Sequence, residues 1–253
     1  QYEPGARTRV RLDHGPSATD GPLDIGPKAI DFYVADPIGD ALGKVVAAGY
    51  PARSAPRKHQ IGRSVSEEVV VTGPDGLPML LMVGHRHATT SLRPGSPDGL
   101  CSEIATASVI AGDLDASRRF YGDVLGLVPV NDAETPEAYR DLVCELVDAP
   151  PGTRVHFLLY AAPGEASGKI LLIHFIGRSP RRLEGRMRPG HLGFSLFVHD
   201  VDDVEALHQA CDRAGSAILA APQDIVDRAG MRRRAMIVEG PNCELFQFQS
   251  RVS

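Results

Sequence analysis

The chain has 253 residues, 43% of them apolar, and a net charge of −5, which is enough for one large domain or two ordinary ones. No apolar run approaches the length of a membrane span, and no charged start followed by an apolar run marks a secretory signal. The basic residues are dispersed, which argues against a nucleic-acid-binding face. The four cysteines are far apart and form no CxxC pair, so we expect a reduced, cytoplasmic chain without disulfides.

Three segments of the chain share one order of elements: an alternating strand-like run that ends in Asp, a helix-like segment, and a closing Gly. The Asp suits a helix N-cap, and the Gly suits the left-handed residue that ends a helix. The strand-like runs are Ala29–Asp36, Thr106–Asp113 and His191–Asp200, and the closing glycines are Gly49, Gly126 and Gly215. We call these segments repeats one, two and three.

Extended chain with turn residues follows each helix, which predicts strands and hairpins. The predicted hairpin strands are Val65–Thr72 with Leu77–Val83, Asp141–Val147 with Thr153–Tyr160, and Arg234–Glu239 with Glu244–Gln249. One helix and four strands make a βαβββ module. The sequence therefore predicts an α+β fold of tandem βαβββ modules with mixed sheets, rather than a layered parallel sheet.

The start of the chain resembles the end of repeat two. Pro4-Gly5 with Thr8-Arg9-Val10 parallels Pro151-Gly152 with Thr153-Arg154-Val155. We interpret 1–15 as the last strand of an incomplete earlier module; the alternative is an ordinary N-terminal strand. The predicted domains are 1–88 (the incomplete module and repeat one) and 103–250 (repeats two and three), with 89–102 as a linker.

Two motifs resemble the vicinal oxygen chelate superfamily, which includes glyoxalases, bleomycin-resistance proteins and extradiol dioxygenases. Residues 113–127 carry an Asp-Leu-Asp-x-Ser start, a Phe-Tyr pair and a Leu-Gly-Leu end, and 240–248 resemble the final hairpin of that family. The resemblance implies that modules pair into cup-shaped sheets with the active site inside. It does not imply one reaction, because the family includes lyases, isomerases, dioxygenases, thiol transferases and metal-free drug-binding proteins.

Metal-dependent members of this family place ligands on the first and last strands of each module. The equivalent first-strand positions here are Ala29, Thr106 and Gly193, and the last-strand positions are Arg11, Leu80, His156 and Gln247. The N-terminal half therefore offers no metal site, and we expect it to be structural or to bind an anion or an apolar group through Arg11. The C-terminal pair offers Thr106, His156 and Gln247, joined by His191 if a bulge turns that residue inward.

We therefore expect a metal-free cup in the C-terminal domain that holds a small organic molecule. Its expected aromatic walls are Phe157, Phe194, Phe197 and Phe248. Thr106 and Gly193 stand where the family has ligands, and this degeneracy favours binding without a metal.

The alternative is a lyase, isomerase or ring-cleaving dioxygenase that uses Fe, Mn, Ni or Zn. His156, Gln247 and His191 would hold the cation, and Thr106 would orient the substrate or a bound water. His156 could equally be a hydrogen-bonded strand residue, and Gln247 a polar lining residue. A structural or regulatory interaction protein is a third alternative. Family modules often pair between chains, so a homodimer is also an expectation; membrane and nucleic-acid partners are not.

Overall fold

The computed structural model describes residues 8–17, 21, 23–86, 100–182, 185, 188, 192–227 and 229–252, of which 8–17 are described by their backbone alone. Repeat one contains β2 (Gly26–Tyr33), α1 (Ile38–Ala47), β3 (Arg57–Ile61), β4 (Ser64–Thr72) and β5 (Pro78–Arg86). Repeat two contains β6 (Ile104–Ile110), α2 (Leu114–Arg118), β7 (Val128–Glu134), α3 (Arg140–Val147), β8 (Val155–Ala161) and β9 (Lys169–Phe175). Repeat three contains β10 (Leu192–Asp200), α4 (Val204–Arg213), β11 (Ala217–Val226), β12 (Arg232–Glu239) and β13 (Leu245–Arg251), and β1 (Thr8–Ser17) precedes them all.

Repeats one and two form one continuous sheet of eight strands in the order β3-β4-β5-β2-β6-β9-β8-β7. The first strands of the two repeats, β2 and β6, pair antiparallel at the centre. Each first strand also pairs in parallel with the last strand of its own repeat. The α+β class and the curled, cup-shaped sheet are therefore as the sequence predicts, but the repeats that share this sheet are one and two, not two and three.

Repeat three forms a second sheet of five strands in the order β1-β10-β13-β12-β11. The N-terminal strand β1 pairs antiparallel with β10, as β2 pairs with β6. It thus occupies the place that a first strand takes in the larger sheet, whereas the sequence similarity to Thr153–Val155 predicts a last strand.

The prediction of a strand at Asp141–Val147 is wrong, because this segment is the helix α3. It buries Val143, Cys144 and Leu146 on one side, as an amphipathic helix does. The last strand of repeat two is therefore β9, and His156 lies on the strand before it. Apolar residues that recur in a short segment fit a helix and a strand equally well, which explains the error.

A shared apolar core joins the two sheets. It contains residues of β6, β8 and β9 from the larger sheet, Phe120 and Tyr121 after α2, Val204 and Cys211 of α4, and residues of β10, β12 and β13. The aromatic rings of Phe194, Phe197, Phe246 and Phe248 lie in this core, with ring centroids of neighbours about 5.5 to 6.0 Å apart. The helical side of the larger sheet is thereby covered by repeat three, and its concave side is left for a cavity.

Of the three Asp residues predicted to cap helices, only Asp113 does so; α1 follows Pro37 without a side-chain cap, so Asp36 is not a cap. The Asp113 carboxylate accepts hydrogen bonds from the backbone N–H groups of Asp115 and Ala116 at the start of α2. The cap of α4 is Asp203 instead of the predicted Asp200, since this helix begins three residues later than the pattern indicates. Gly49, Gly126 and Gly215 all have positive φ, as expected for helix ends. No helix among the described residues is long and apolar enough to cross a membrane.

Candidate functional site

A cavity of about 400 Å³ lies within the eight-stranded sheet. Strands of both repeats and the helix α3 contribute to its wall. Much of this wall is apolar, with Leu80 and Met82 of repeat one facing Phe157, Leu159, Leu171 and Ile173 of repeat two. A largely apolar cavity with a few polar groups has the usual character of a small-molecule site.

Among the ionisable side chains that line this cavity, four lie on four different strands, and we call them the polar cluster: Asp31, His59, Glu68 and Lys169. Strand alternation explains their orientation, since Asp31 shares its face with Ala29 and Tyr33, which also line the cavity. The cluster draws three members from repeat one and one from repeat two, so the site exists only where the two repeats meet.

His59 and Glu68 form an ion pair on adjacent strands. Nε2 of His59 lies 3.0 Å from Oε2 of Glu68, and the two side chains are 2% and 14% exposed. Burial opposes charge on both groups, but the pairing outweighs it, raising the pKa of His59 and lowering the pKa of Glu68. The Ser66 hydroxyl also donates a hydrogen bond to Glu68 at 2.7 Å. The pair therefore carries an imidazolium against a carboxylate.

Asp31 is buried at the seam between the two repeats, by which we mean the line where β2 pairs with β6. It is 3% exposed, and the Ser108 hydroxyl of repeat two donates to its Oδ2 at 3.4 Å. Burial, reinforced by the negative charge of Glu68, holds the pKa of this carboxyl well above its usual range, and the weaker effects of Ser108 and Lys169 do not reverse it. The protonated form of Asp31 is therefore favoured.

Lys169 places a buried ammonium group at the same seam. Its Nζ donates to the carbonyl oxygen of Ala166 at 2.7 Å and lies 5.3 Å from the ring centroid of Tyr33. Burial lowers the pKa of Lys169 to about 8, while Asp31 and Glu103 act in the opposite direction. At neutral pH most of this side chain is still protonated.

Besides Nε2 of His59, which meets Glu68 as an ion pair at 3.0 Å, two buried polar atoms of the cluster have no hydrogen-bond partner among the described residues: Oδ1 of Asp31 and Nδ1 of His59. Leaving a buried donor or acceptor unpaired costs about 1–3 kcal/mol, so such atoms are uncommon. Both belong to side chains that line the cavity. They mark the part of the wall where a bound molecule would gain hydrogen bonds.

The helix α3 reaches from repeat two across to repeat one, where it lies against β3 and β4. Val143, Leu146 and Val147 of this helix line the cavity. Exposed ion pairs accompany the contact: Arg57 with Glu145 at 3.3 Å, and Arg53 with Asp148 at 3.0 Å. The cavity is thus closed on one side by a helix where the sequence pattern predicts a strand.

Of the predicted site residues, Thr106 and Phe157 lie in the cavity wall. Thr106 is buried on β6 and pairs with Lys169 across the strands. His156 points to the opposite face of β8, because its neighbour Phe157 faces the cavity. Its Nε2 lies 2.5 Å from Oδ1 of Asp132, so this nitrogen has a partner without a metal ion.

The structure does not bring the other predicted residues to this cavity. Gln247 belongs to β13 of the five-stranded sheet and donates a hydrogen bond to Oε1 of Gln249 at 2.9 Å. Phe194, Phe197 and Phe248 are core residues between the sheets rather than walls of a cup. His191 lies outside the described residues.

The family resemblance implies a divalent metal on first and last strands, and the residues of this cup do not fit one. The first strands present Ala29 and Thr106, and the last strands present Leu80 and Leu171, which pair with Asp31 and Ser108 at equivalent places in the two repeats. Alkyl groups are not metal ligands. The described part of the chain also contains no group of three or more His, Cys, Asp or Glu side chains arranged to hold a metal ion.

Sequence reasoning missed the polar cluster because it tested only the metal-ligand positions of the family. Asp31 stands two residues after Ala29 and shares its strand face, so alternation alone would have pointed it inward. Glu68 could not be assigned a face without the register of β4. His59 lies in a stretch that the pattern left without an element.

Glu244, directly before β13, is fully buried. Tyr121 donates a short hydrogen bond to its Oε1, and the backbone N–H of Asn242 donates to Oε2 at 2.7 Å. The Asn242 amide in turn donates to the Ser117 hydroxyl at 3.2 Å. This network fastens the last hairpin of repeat three to the helical segment of repeat two, and it lies away from the cavity.

Solved structures share this fold at low sequence identity. Glyoxalase I from Zea mays aligns with a TM-score of 0.58 and 16% identity over 90% of this chain and 68% of the maize chain. A variant of the same maize enzyme gives a TM-score of 0.59, with 16% identity over the same shares of the two chains. A provisionally assigned dioxygenase from Bacillus subtilis gives 0.56 and 14% identity over 96% of this chain and 78% of its own. These likenesses concern the fold alone.

A comparison with curated protein sequences gave no match. A family model, however, matches residues 103–248, which is more than half of the chain and includes both motifs of repeats two and three. With its tandem βαβββ repeats and cup-shaped sheet, this chain belongs to the Glyoxalase/Bleomycin resistance protein/Dioxygenase superfamily.

Proposed function

We propose that the chain binds a small organic molecule in the cup between repeats one and two, without a metal ion. The observation that carries the proposal is the cavity of about 400 Å³, in which apolar walls surround the polar cluster. Cavities of this size bury most of the surface of a drug-sized ligand, and a few polar groups fix its orientation. The metal-dependent alternative has no comparable support, since the strand positions in question carry Ala29, Thr106, Leu80 and Leu171.

The location within the chain differs from the sequence expectation. Residues of the C-terminal repeat pack between the two sheets, so we place the ligand at the seam of repeats one and two. Thr106 and Phe157 remain in the proposed site, and Asp31, His59, Glu68 and Lys169 join them.

A screen of small ligands against the wild type and against a variant with a filled cavity tests the proposal. Purified protein is screened by thermal shift against aromatic and aliphatic acids, amines, amides and alcohols, and hits are measured by calorimetry. Leu80→Trp fills the cavity and should abolish the response to every hit, at a stability cost of about 1–3 kcal/mol. Leu219→Trp is the matched control, because Leu219 is 55% exposed on β11 of the other sheet.

A hit that binds the wild type and the control but not the filled variant supports the site. Hits that bind Leu80→Trp as tightly as the wild type would place the ligand elsewhere and remove the proposal. No hit at all from the panel would have the same effect.

A further inference from the structure

Building on the proposed function, we infer that the ligand of the cup is a small organic acid whose anionic oxygen is held between Asp31 and His59. Three observations carry this inference: the two unpartnered polar atoms, the charges that line the cavity, and the placement of the apolar wall.

The unpartnered atoms are both suited to donate to an oxygen. His59 directs Nε2 to Glu68 at 3.0 Å, so the Nδ1–H of its imidazolium is left for another acceptor. Asp31 accepts from Ser108 through Oδ2, and its buried Oδ1 has no partner in the described residues. Since burial favours the protonated carboxyl, this oxygen can carry a hydrogen that donates to a ligand. Two donors that lack acceptors fit a carboxylate or phenolate oxygen.

The charges around the cavity favour an anion over a cation. Glu68 is balanced by His59, and Asp148 is balanced by Arg53. Lys169 lies at the seam, where its Nζ donates to the carbonyl oxygen of Ala166 at 2.7 Å. Lys28 also lines the wall, and its Nζ donates to the carbonyl oxygen of Gly21 at 2.7 Å. A cationic ligand would therefore enter a space that already holds an ammonium and an imidazolium, although the whole chain is acidic with a net charge of −5.

The apolar wall defines the rest of the molecule. Leu80 and Met82 lie on β5, whereas Phe157 and Leu171 face them from repeat two. A flat hydrocarbon body between these side chains would place an acidic group toward β2 and β3. An aromatic or branched aliphatic monocarboxylate combines these features.

Three probes of one shape test the inference: 2-naphthoate, 2-naphthamide and 2-naphthylmethylamine, titrated into the wild type at about pH 6, where His59 is protonated. We expect 2-naphthoate to bind roughly tenfold tighter than the amide, because hydrogen bonds to a charged acceptor are about twice as strong as neutral ones. The amine should bind more weakly still. An amide or amine that binds as tightly as the acid would overturn the inference while leaving the proposed function in place.

Variants assign the preference to the two residues. His59→Gln should reduce the preference for the acid to threefold or less, by roughly the strength of one charged hydrogen bond. Asp31→Asn keeps a donor and should retain the preference. His85→Gln, on β5 at the outer face of the sheet, should bind like the wild type. A preference that survives His59→Gln, or one that is lost in Asp31→Asn, contradicts the arrangement. Failure of all three probes, together with an unresponsive ligand panel, removes both this inference and the proposed function.

Discussion

His59 and His85 flank β4 from its two sides and pair with consecutive glutamates on opposite faces of the sheet. His59 lies 3.0 Å from Glu68 inside the cup, and His85 lies 3.3 Å from Glu67 on the outer face. The two pairs have the same chemistry and neighbouring positions, but their side chains differ in exposure: 2% and 14% for the inner pair against 23% and 28% for the outer pair. The sheet thus contains a buried ion pair and its partly exposed counterpart.

Removing the inner histidine should cost far more stability than removing the outer one. We expect His59→Gln to lower the free energy of unfolding by about 3 kcal/mol, because it leaves a buried carboxylate without its counterion. His85→Gln should cost less than about 1 kcal/mol, as is usual for pairs near the surface. Urea denaturation of the two variants measures the difference, and equal losses would show that burial does not distinguish the pairs.

The acid–base behaviour of Glu244 should make stability fall as pH rises. Burial raises the pKa of Glu244 from 4.5 to about 7 in the folded chain, despite the hydrogen bonds from Tyr121 and Asn242. The folded state therefore retains a proton that the unfolded state loses, so the contribution is fully present below pH 4.5 and is lost as pH rises toward 7. The loss amounts to about 3 kcal/mol.

Glu244→Gln should remove this dependence, since an amide cannot ionise. Denaturation curves at several pH values between 4.5 and 7 measure it. Glu137→Gln serves as the control, because Glu137 is exposed at the start of a short 3-10 helix. If the wild type and Glu244→Gln had parallel pH profiles, the carboxyl would not be the titrating group.

Substitutions of Phe157 and Phe197 should distinguish an effect on ligand binding from an effect on core packing. Both rings are buried, but Phe157 lines the cavity and Phe197 lies in the core between the sheets. Each change to Ala should destabilise the chain by about 3–5 kcal/mol. Calorimetry with 2-naphthoate, at a temperature where both variants remain folded, should find weaker binding for Phe157→Ala alone. Equal effects on binding would indicate that the core aromatics act on the ligand.

His156→Ala should change neither the metal content of the purified protein nor its binding of 2-naphthoate. Its side chain lies on the face of β8 opposite Phe157 and pairs with Asp132. Elemental analysis before and after treatment with a chelator measures the metal content of the variant and the wild type. Stoichiometric metal in the wild type that is absent from His156→Ala would restore the metal-dependent alternative.

The sequence predicts the repeats, the fold class and the superfamily correctly, because these depend on local signals. Asp113 caps a helix, and Gly126 and Gly215 end helices through their own backbone preferences. The partner of each repeat depends instead on contacts between distant strands, such as Asp31 with Thr106. No local pattern encodes that pairing, so the cup was expected between the wrong repeats.

The same difference between local signals and long-range contacts separates the site residues that the sequence predicts from those that it does not. Thr106, which occupies a first-strand ligand position of the family, and Phe157, an expected aromatic wall, lie in the cavity wall. His156 was misplaced because Asp141–Val147 was taken for a strand, which shifted the count of strands by one. His59 and Glu68 become recognisable only when β3 pairs with β4, since their charges are opposed across the strands.

One wall of the cavity is the short helix α3 rather than a strand, so ligand preference can change among related chains without a change in the sheet. Val143, Leu146 and Val147 contact the cavity but take no part in the hydrogen-bonded ladder of the sheet. Substitutions of larger for smaller apolar residues in this helix, or the reverse, would change the volume available to a ligand. They would leave the register of every strand unchanged. Related chains could therefore acquire new ligands through this one helical turn, while the acidic and basic groups opposite it stay the same.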